Sequence, residues 1–354
     1  MDLKKLRNKI DKLDGELLDL LNERLKIAKQ VGKAKKLNKE VIYAPDREKE
    51  VLINLIKRNK GPLPNEELKS IFREIMQTAR SLQKKLTIAY LGPEASFTHL
   101  AGIKNFGRQA QYLPAKSIGD VFTEVEKERV DYGVVPIENT TEGMVNYTLD
   151  MFMDSDLKIC AEILLEVHHN LASRTTIDKI DKIYSHVQTV AQCRNFLEEK
   201  MPNVKIIELE SNSKAAQMAS QDPKSAAIVS TVAAEMYGLN ILVSRIEDLT
   251  NNYTRFLVIG KNDSAKSQED KTSILFSIKD RVGALYDMLL PFRKAHINLT
   301  KIESRPTKKK AWEYVFFVDL IGHREDANIK KALNELEKEC LFLKVLGSYP
   351  IGEE

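Results

Sequence analysis

The sequence predicts three folds in series: an all-α three-helix domain that dimerises, a two-lobed α/β domain, and a small α+β domain of ferredoxin-like order. Three periodicities carry this reading. A three-and-four apolar spacing runs through residues 3–38, short β-branched runs alternate with amphipathic helices from Leu86 to about residue 260, and the remainder reads βαββαβ. At 354 residues the chain exceeds one ordinary core, and at roughly 100–200 residues per domain it divides into two or three. The expected domains are 1–86, 87–262 and 272–354.

Residues 3–38 set Leu3, Leu6, Ile10, Leu13, Leu17, Leu20, Ile27, Val31 and Ala34 on one seam, with Arg24 at its one charged position. Gly15 and Gly32 weaken this helix and no Pro breaks it. About 35 residues at about 1.5 Å each run roughly 50 Å. An 86-residue monomer cannot bury that length, so a homodimer or higher homo-oligomer is expected. A second helix starts near Pro45, harmless in a first turn, and stops at Gly61-Pro62-Leu63-Pro64. A third, from about Asn65, places Leu68, Ile71, Phe72, Ile75, Ala79 and Leu82 on one face.

Beyond Leu86, strands are expected at 87–91, 131–136, 182–185, 204–209 and 226–230, with helices between them. The stretch 157–171 would cross between two lobes and 255–260 would return to the first, which puts the ligand site in the interlobe cleft. Residues 260–271 are polar and aperiodic and read as a flexible linker. The last domain reads strand 272–278, helix 283–294, strands 297–304 and 312–320, helix 325–338 and strand 341–347.

Composition excludes several classes. No apolar run approaches the roughly 20 residues of a membrane span, and the chain opens without a signal-peptide pattern, so a cytoplasmic protein is expected. Cys160, Cys193 and Cys340 form no CxxC pair, which argues against a disulfide framework or a zinc site. His99, His168 and His169 show no metal spacing and read as structural, and no cofactor is called for. The net charge of +4 hides an asymmetry: residues 1–86 hold 22 Lys+Arg against 13 Asp+Glu, leaving 33 against 38 elsewhere. A lysine-rich helical stretch is either a solvated face or an attractor of anions; few aromatics interleave with it, which disfavours nucleic acid.

A guanidinium in an apolar seam needs an anionic partner, so Arg24 is an internal ion pair, a register-setting residue, or part of a ligand site. Lys35 lies eleven residues on, nearly on the same face, Arg47 and Glu48 open the second helix, and Gln83 falls on the inner stripe of the third. Cations converging inside a bundle suit a small polyanion. Arg7 is 17 residues from Arg24, roughly 25 Å along the helix, and reaches such a pocket only in an antiparallel partner. Leu6-Arg7-Asn8-Lys9-Ile10-Asp11, Asn22-Glu23-Arg24, Val31-Gly32-Lys33-Ala34-Lys35 and Asp46-Arg47-Glu48 resemble the all-helical chorismate mutase family, whose fold is an intertwined dimer. The resemblance implies that Arg24 and a second copy's Arg7 hold the two carboxylates of chorismate, with Arg47 supporting. Lys35 and Gln83 would donate to the ether oxygen and Glu48 would take the ring hydroxyl. A pericyclic rearrangement needs only a compact conformer and aimed donors. Ala44 stands where many members have Asp, and Ala79 where some have Ser.

In the middle region, Gly92-Pro93-Glu94-Ala95-Ser96-Phe97-Thr98-His99, Pro136-Ile137-Glu138-Asn139-Thr140-Thr141-Glu142-Gly143, Ser185-His186-Val187-Gln188 and Asn252-Tyr253-Thr254-Arg255-Phe256 sit at strand ends. Singly they read as caps and turns; together they resemble prephenate dehydratases, two-lobed proteins of periplasmic-binding-protein-like fold, with Val187 where the family usually has Pro. The resemblance implies loss of carbon dioxide and hydroxide from prephenate. Thr254 would be a positioned donor to the leaving hydroxyl, with Ser96, Thr98, Asn139, Thr140, Ser185, Gln188 and Phe256 as pocket candidates. Arg255 is either a carboxylate clamp or a structural ion pair.

Gly283-Ala284-Leu285 and Glu303-Ser304-Arg305-Pro306 resemble the ACT domains attached to prephenate dehydratases, which bind L-phenylalanine. A Gly at a helix N-terminus suits an amino-acid carboxylate. The implied protein converts chorismate through prephenate to phenylpyruvate under feedback by phenylalanine. The alternatives are a dehydratase whose helical domain only dimerises, and a non-catalytic amino-acid sensor.

Overall fold

The computed structural model describes residues 2–38, 40–278, 281–306 and 314–353. Contacts divide it into two compact units, Met1–Leu86 with Phe106–Gln111, and Thr87–Asn105 with Tyr112–Glu354.

The first unit holds α1 (Leu3–Leu37), α2 (Pro45–Arg58) and α3 (Asn65–Gln83). Asp2 caps α1 by accepting from the Lys4 amide at 3.0 Å, and Pro45 sits in the first turn of α2. The α1 seam is largely uncovered within one chain: Leu13 is 62% exposed and Leu20 64%. Gly32 is the buried residue of α1 because α3 crosses there, and a Cβ on it would lie 2.7 Å from Gln83 Cγ. The Gly that costs helix propensity is what permits the close approach. Residues 106–111, expected in the α/β domain, join this unit. The Phe106 ring meets Tyr43 at 4.9 Å, and the Arg80 guanidinium lies over both rings.

The second unit contains three sheets. Its first lobe comprises β1 (Thr87–Leu91), α4 (Phe97–Phe106), β2 (Gln111–Ala115), α5 (Ile118–Glu126), β3 (Tyr132–Asn139), β4 (Gly143–Met144), α6 (Asn146–Asp154) and β5 (Lys158–Glu166). The second comprises β6 (Asn170–Ser173), β7 (Lys182–His186), α7 (Val187–Gln192), α8 (Arg194–Lys200), β8 (Lys205–Leu209), α9 (Asn212–Gln221), β9 (Ser225–Val229), α10 (Thr231–Met236) and β10 (Asn240–Val243). The chain then returns through β11 (Tyr253–Gly260). The sheet orders are β2-β1-β3-β11-β5, with β4 beside β3, and β10-β6-β9-β7-β8. Residues 157–171 thus cross between sheets and β11 comes back antiparallel between β3 and β5, as the sequence led us to expect.

The C-terminal part is β12 (Asp270–Ser277), α11 (Ala284–Lys294), β13 (Leu299–Pro306), β14 (Tyr314–Ile321), α12 (Ala327–Glu339) and β15 (Phe342–Pro350), in sheet order β13-β14-β12-β15. The expected strand at 312–320 begins in residues outside those described. One face of this sheet packs Ile274, Phe276 and Val318 against Met288, Phe292 and Leu336 of the helices. The other face puts Leu275, Val315, Phe317, Leu346 and Tyr349 into one core with Ile137, Ile159 and Leu257 of the first lobe. Both faces of β12 and β14 are therefore buried, which is why β14 reads as a nearly continuous apolar run. At Gly347 a Cβ would lie 2.2 Å from the Ile159 carbonyl oxygen, so the two backbones touch.

The expected flexible linker is instead tied down. Ser264 is buried and donates to the Cys160 carbonyl, Arg324 pairs with Asp263 at 2.9 Å, and Asp270 begins β12. The polar residues that gave 260–271 its linker composition are partners in these bonds. Among the described residues no helix is long and apolar enough to cross a membrane, and no three His, Cys, Asp or Glu are grouped to hold a metal ion.

Candidate active sites

A cavity of about 340 Å³ opens among α1, α2 and α3, lined by Arg24, Lys35, Arg47, Glu48, Arg80 and Gln83, with Ala44 and Ala79 in its wall. All five residues expected to meet within one chain do so. Within one chain Arg24 makes no ion pair among the described residues, and it lines the cavity. The Lys35 ammonium is held against the α1–α2 loop, donating to the carbonyls of Val41 at 3.0 Å and Ile42 at 3.3 Å. Arg47 is at the mouth, where it pairs with Glu50 at 2.5 Å. Arg7 does not line the cavity, as its position along α1 requires.

Glu48 lies 3.5 Å from the Arg80 guanidinium. Burial raises its carboxyl above the ordinary value of 4.5, and Arg80 and Lys35 only partly oppose that. Arg80, 4% exposed, was missed in the sequence. Its spacing, three before Gln83 and four after Met76, could have found it.

In the second unit a cleft of about 410 Å³ lies between the two lobes. Of the expected residues Ser96, Thr98, Asn139, Gln188, Thr254 and Phe256 line it. Thr254 and Asn139 are cross-strand partners on β11 and β3, and Asn139 Nδ2 donates to Thr254 Oγ1 at 2.7 Å. Asn139 is itself fixed: Nδ2 also donates to Asn252 Oδ1 at 2.8 Å, while Oδ1 accepts from the Thr141 hydroxyl at 2.6 Å and the Glu142 amide at 3.1 Å. Because the threonine oxygen already accepts, its own proton is available to a group in the cleft.

The opposite wall comes from helix starts. Ser211 caps α9, and Asn212 and Ser213 of its first turn line the cleft, facing the start of α4 at Phe97 and Thr98. No Lys or Arg lines this cleft among the described residues, whereas Glu142 and Glu210 do, so helix N-termini and amides are the positive ends it offers an anion. His169, 1% exposed, places Nε2 2.8 Å from Gln192 Oε1. Burial lowers its pKa, which keeps the ring neutral and gives Nε2 the proton that Gln192 accepts. Gln192, Asn252, His169 and Asn212 were not singled out as site residues. Gln192 follows Gln188 by one turn and Asn252 sits inside a recognised motif; His169 carried no local signal.

Three expected cleft residues face elsewhere. Thr140 is exposed and binds the 251–253 backbone, donating to the Asn251 carbonyl at 3.2 Å and accepting from the Tyr253 amide at 3.0 Å. Ser185 is fully buried, with its hydroxyl on the His186 carbonyl at 3.3 Å. Arg255 follows Thr254 on a strand whose side chains alternate, so it points away from the cleft. It pairs with Glu162 at 2.7 Å and Asp319 at 2.5 Å and donates to Tyr349 Oη at 3.0 Å. Of its two readings, the structural ion pair is the one formed.

In the C-terminal part Gly283 caps α11 at φ 79°, where an added Cβ meets nothing within 4 Å. Ala284 is buried and Leu285 is 41% exposed. Along β13 exposure alternates, with Glu303 and Arg305 half-buried and Ser304 and Pro306 exposed. Arg305 reaches Asp150 of α6 at 3.3 Å, which links β13 to the first lobe. No hydrogen bond or ion pair joins 283–285 to 303–306 among the described residues.

The chorismate mutase type II family matches residues 6–84, the prephenate dehydratase family residues 88–264 and the ACT domain family residues 272–338. A bifunctional chorismate mutase/prephenate dehydratase of Aquifex aeolicus is 52% identical over 354 residues, covering 99% of this chain and 98% of that protein. The prephenate dehydratase of Arthrobacter aurescens, solved in complex with L-Phe, superposes with a TM-score of 0.70 at 31% identity over 75% of this chain and 90% of that one. The prephenate dehydratase of Staphylococcus aureus gives 0.66 at 29% identity, over 75% and 100%.

Proposed function

Because the chain belongs to the family of bifunctional chorismate mutase/prephenate dehydratases, an isomerase joined to a lyase, we propose that its two reactions run in the two pockets just described. In the helical pocket Arg24 and a second copy's Arg7 hold the carboxylates of chorismate in the compact conformer, with Arg47 at the mouth. Lys35 and Gln83 donate to the ether oxygen as its bond breaks, and Glu48, held by Arg80, accepts from the ring hydroxyl as a carboxylate. The exposed α1 seam supports the second copy, since Leu13 and Leu20 have nothing to cover them in one chain.

In the cleft, prephenate loses its ring carboxylate as carbon dioxide. The bonding pair enters the ring, the carbon–oxygen bond across the ring breaks, and charge develops on the departing hydroxyl. Thr254 donates to that oxygen, and Asn139 fixes the rotamer from which it does so. Thr98, Gln188 and Ser96 bound the substrate, Phe256 flanks it, and the starts of α4 and α9 face its carboxylates. Phenylalanine binds the ACT domain at Gly283, Ala284, Leu285, Glu303, Ser304 and Pro306 and inhibits by favouring a less active state of the cleft. The observation that carries the dehydratase reading is the 2.7 Å bond from Asn139 to Thr254 in a cleft that holds hydroxyl and amide donors and, among the described residues, no Lys or Arg.

The test supplies chorismate to the purified chain and follows chorismate loss and phenylpyruvate formation separately, with and without phenylalanine. Both signals, with the second suppressed by phenylalanine, are expected. Phenylpyruvate from supplied prephenate with chorismate untouched would leave the helices as a dimerisation element, which the alanines at 44 and 79 favour as a second reading.

A further inference from the structure

The two strands that carry Asn139 and Thr254 into the cleft carry charges out of the other face. On β3 and β11, Asn139 is paired in register with Thr254, and Glu138 with Arg255. Alternation sends the second pair towards the ACT sheet. There β13 and β14 present another cross-strand pair, Lys301 and Asp319. The two pairs meet with opposite signs: Lys301 Nζ is 2.5 Å from Glu138, and Arg255 is 2.5 Å from Asp319. The result is a clasp in which each charge has its counter-charge on the facing sheet and an opposite charge beside it on its own.

We propose that this clasp couples the ACT domain to the dehydratase cleft, so that phenylalanine acts on Asn139 and Thr254 through Lys301–Glu138 and Asp319–Arg255. The inference rests on the feedback reading above and deepens it. Lys301 lies two residues before Glu303, at the start of the proposed effector segment, and Glu138 directly precedes Asn139. A shift of β13 must therefore either carry Glu138 with it or strand two partly buried charges. Arg255 and Asp319 are 8% and 0% exposed, so that half of the clasp tolerates no loss of its partner and serves as the pivot. Lys301 and Glu138, each about one quarter exposed, form the half that can open.

Neither Lys301 nor Glu138 lines the cleft, so Lys301→Met, Glu138→Gln and the double variant should keep dehydratase turnover without phenylalanine. The full-length chain is titrated with phenylalanine while binding is followed by calorimetry and turnover by phenylpyruvate; the mutase rate reports that the chain is intact. Binding is expected to hold while the extent of inhibition at saturating phenylalanine falls by about tenfold or more in either single variant, and no further in the double. Lys301→Arg should restore the wild-type response. Unchanged inhibition in the variants would overturn the clasp, and so would loss of phenylalanine binding, which would make Lys301 part of the effector site. Wild-type protein that neither binds nor responds to phenylalanine would remove the feedback reading itself, and the clasp with it. Should Lys301→Met fail to fold, the near-isosteric Glu138→Gln decides alone.

Discussion

The pocket of the helical unit is walled by Arg24, Lys35, Arg47 and Arg80, whereas the dehydratase cleft is walled by amides, hydroxyls, helix starts and the carboxyl groups of Glu142 and Glu210. Each of the two substrates is a small dicarboxylate, so the difference lies in what the chemistry needs beside binding. A rearrangement that moves no proton is served by cations around a preformed shape. A reaction that must expel its own carboxylate as carbon dioxide gains nothing from a guanidinium that stabilises the carboxylate, and a cleft without cations leaves the ground state less favoured. The two units also treat a partly or fully buried glutamate in opposite ways. Burial raises Glu48, with Arg80 at 3.5 Å too distant to reverse it. Glu162 is also penalised by burial, but Arg255, Lys271 and the Gly352 amide hold it below the ordinary value.

The sharpest way to break this comparison is at Arg255, which the sequence left open as a cleft residue. Arg255→Ala leaves Asp319 and Glu162 without their guanidinium and should cost the α/β unit about 3–5 kcal/mol in denaturant unfolding. The KM for prephenate should be unchanged in the folded fraction. A raised KM at unchanged stability would return Arg255 to substrate binding and give the cleft a cation. Next in size, Thr254→Ala should lower dehydratase kcat by about 10²–10³-fold, the usual loss for one aimed donor. Thr254→Ser should keep most of the rate, and chorismate consumption should not change in either variant. An equal fall in both activities would mean that Thr254 acts on the fold.

Gly32→Ala tests the close approach of α1 to α3. Overpacking against Gln83 costs about 1–3 kcal/mol and outweighs a helix-propensity gain of at most about 1 kcal/mol, so mutase activity should fall with dehydratase activity intact. The smallest effect is in pH. Glu48 binds its proton more tightly folded than unfolded, so its contribution to stability is full below its ordinary value of 4.5 and is lost as pH rises through the folded value. Glu162 has the opposite sign, contributing fully above 4.5 and losing that contribution as pH falls through its lowered value. The proposed mutase mechanism uses the Glu48 carboxylate, so its acid limb should lie above 4.5, fall by about tenfold per pH unit, and vanish in Glu48→Gln. A limb at or below 4.5 would mean that Arg80 governs Glu48 after all.

Much of this was legible because it is local. The seam of α1, the Pro at the start of α2, the βαββαβ order and the Asn-Tyr-Thr-Arg-Phe run each depend on residues a few positions apart, where periodicity and capping act. The same locality misled at 260–271, where polar residues looked unstructured because the atoms they bind, such as the Cys160 carbonyl, lie far off in sequence. Thr140 and Ser185 were chosen by residue type at strand ends, and type does not say which way a side chain turns.

By itself, then, the sequence determined which segments are helices and strands, which apolar faces seek cover, and that charges inside apolar runs, such as Glu162 in Lys158–Glu166 and Asp319 in Tyr314–Ile321, must be neutralised somewhere. Only the tertiary structure decided by what. Glu138 and Lys301 are 163 residues apart and Arg255 and Asp319 are 64 apart. A strand's pattern fixes which residues share a face but not which sheet that face meets, because the choice is made by packing the whole core against the cost of leaving any one charge unpaired.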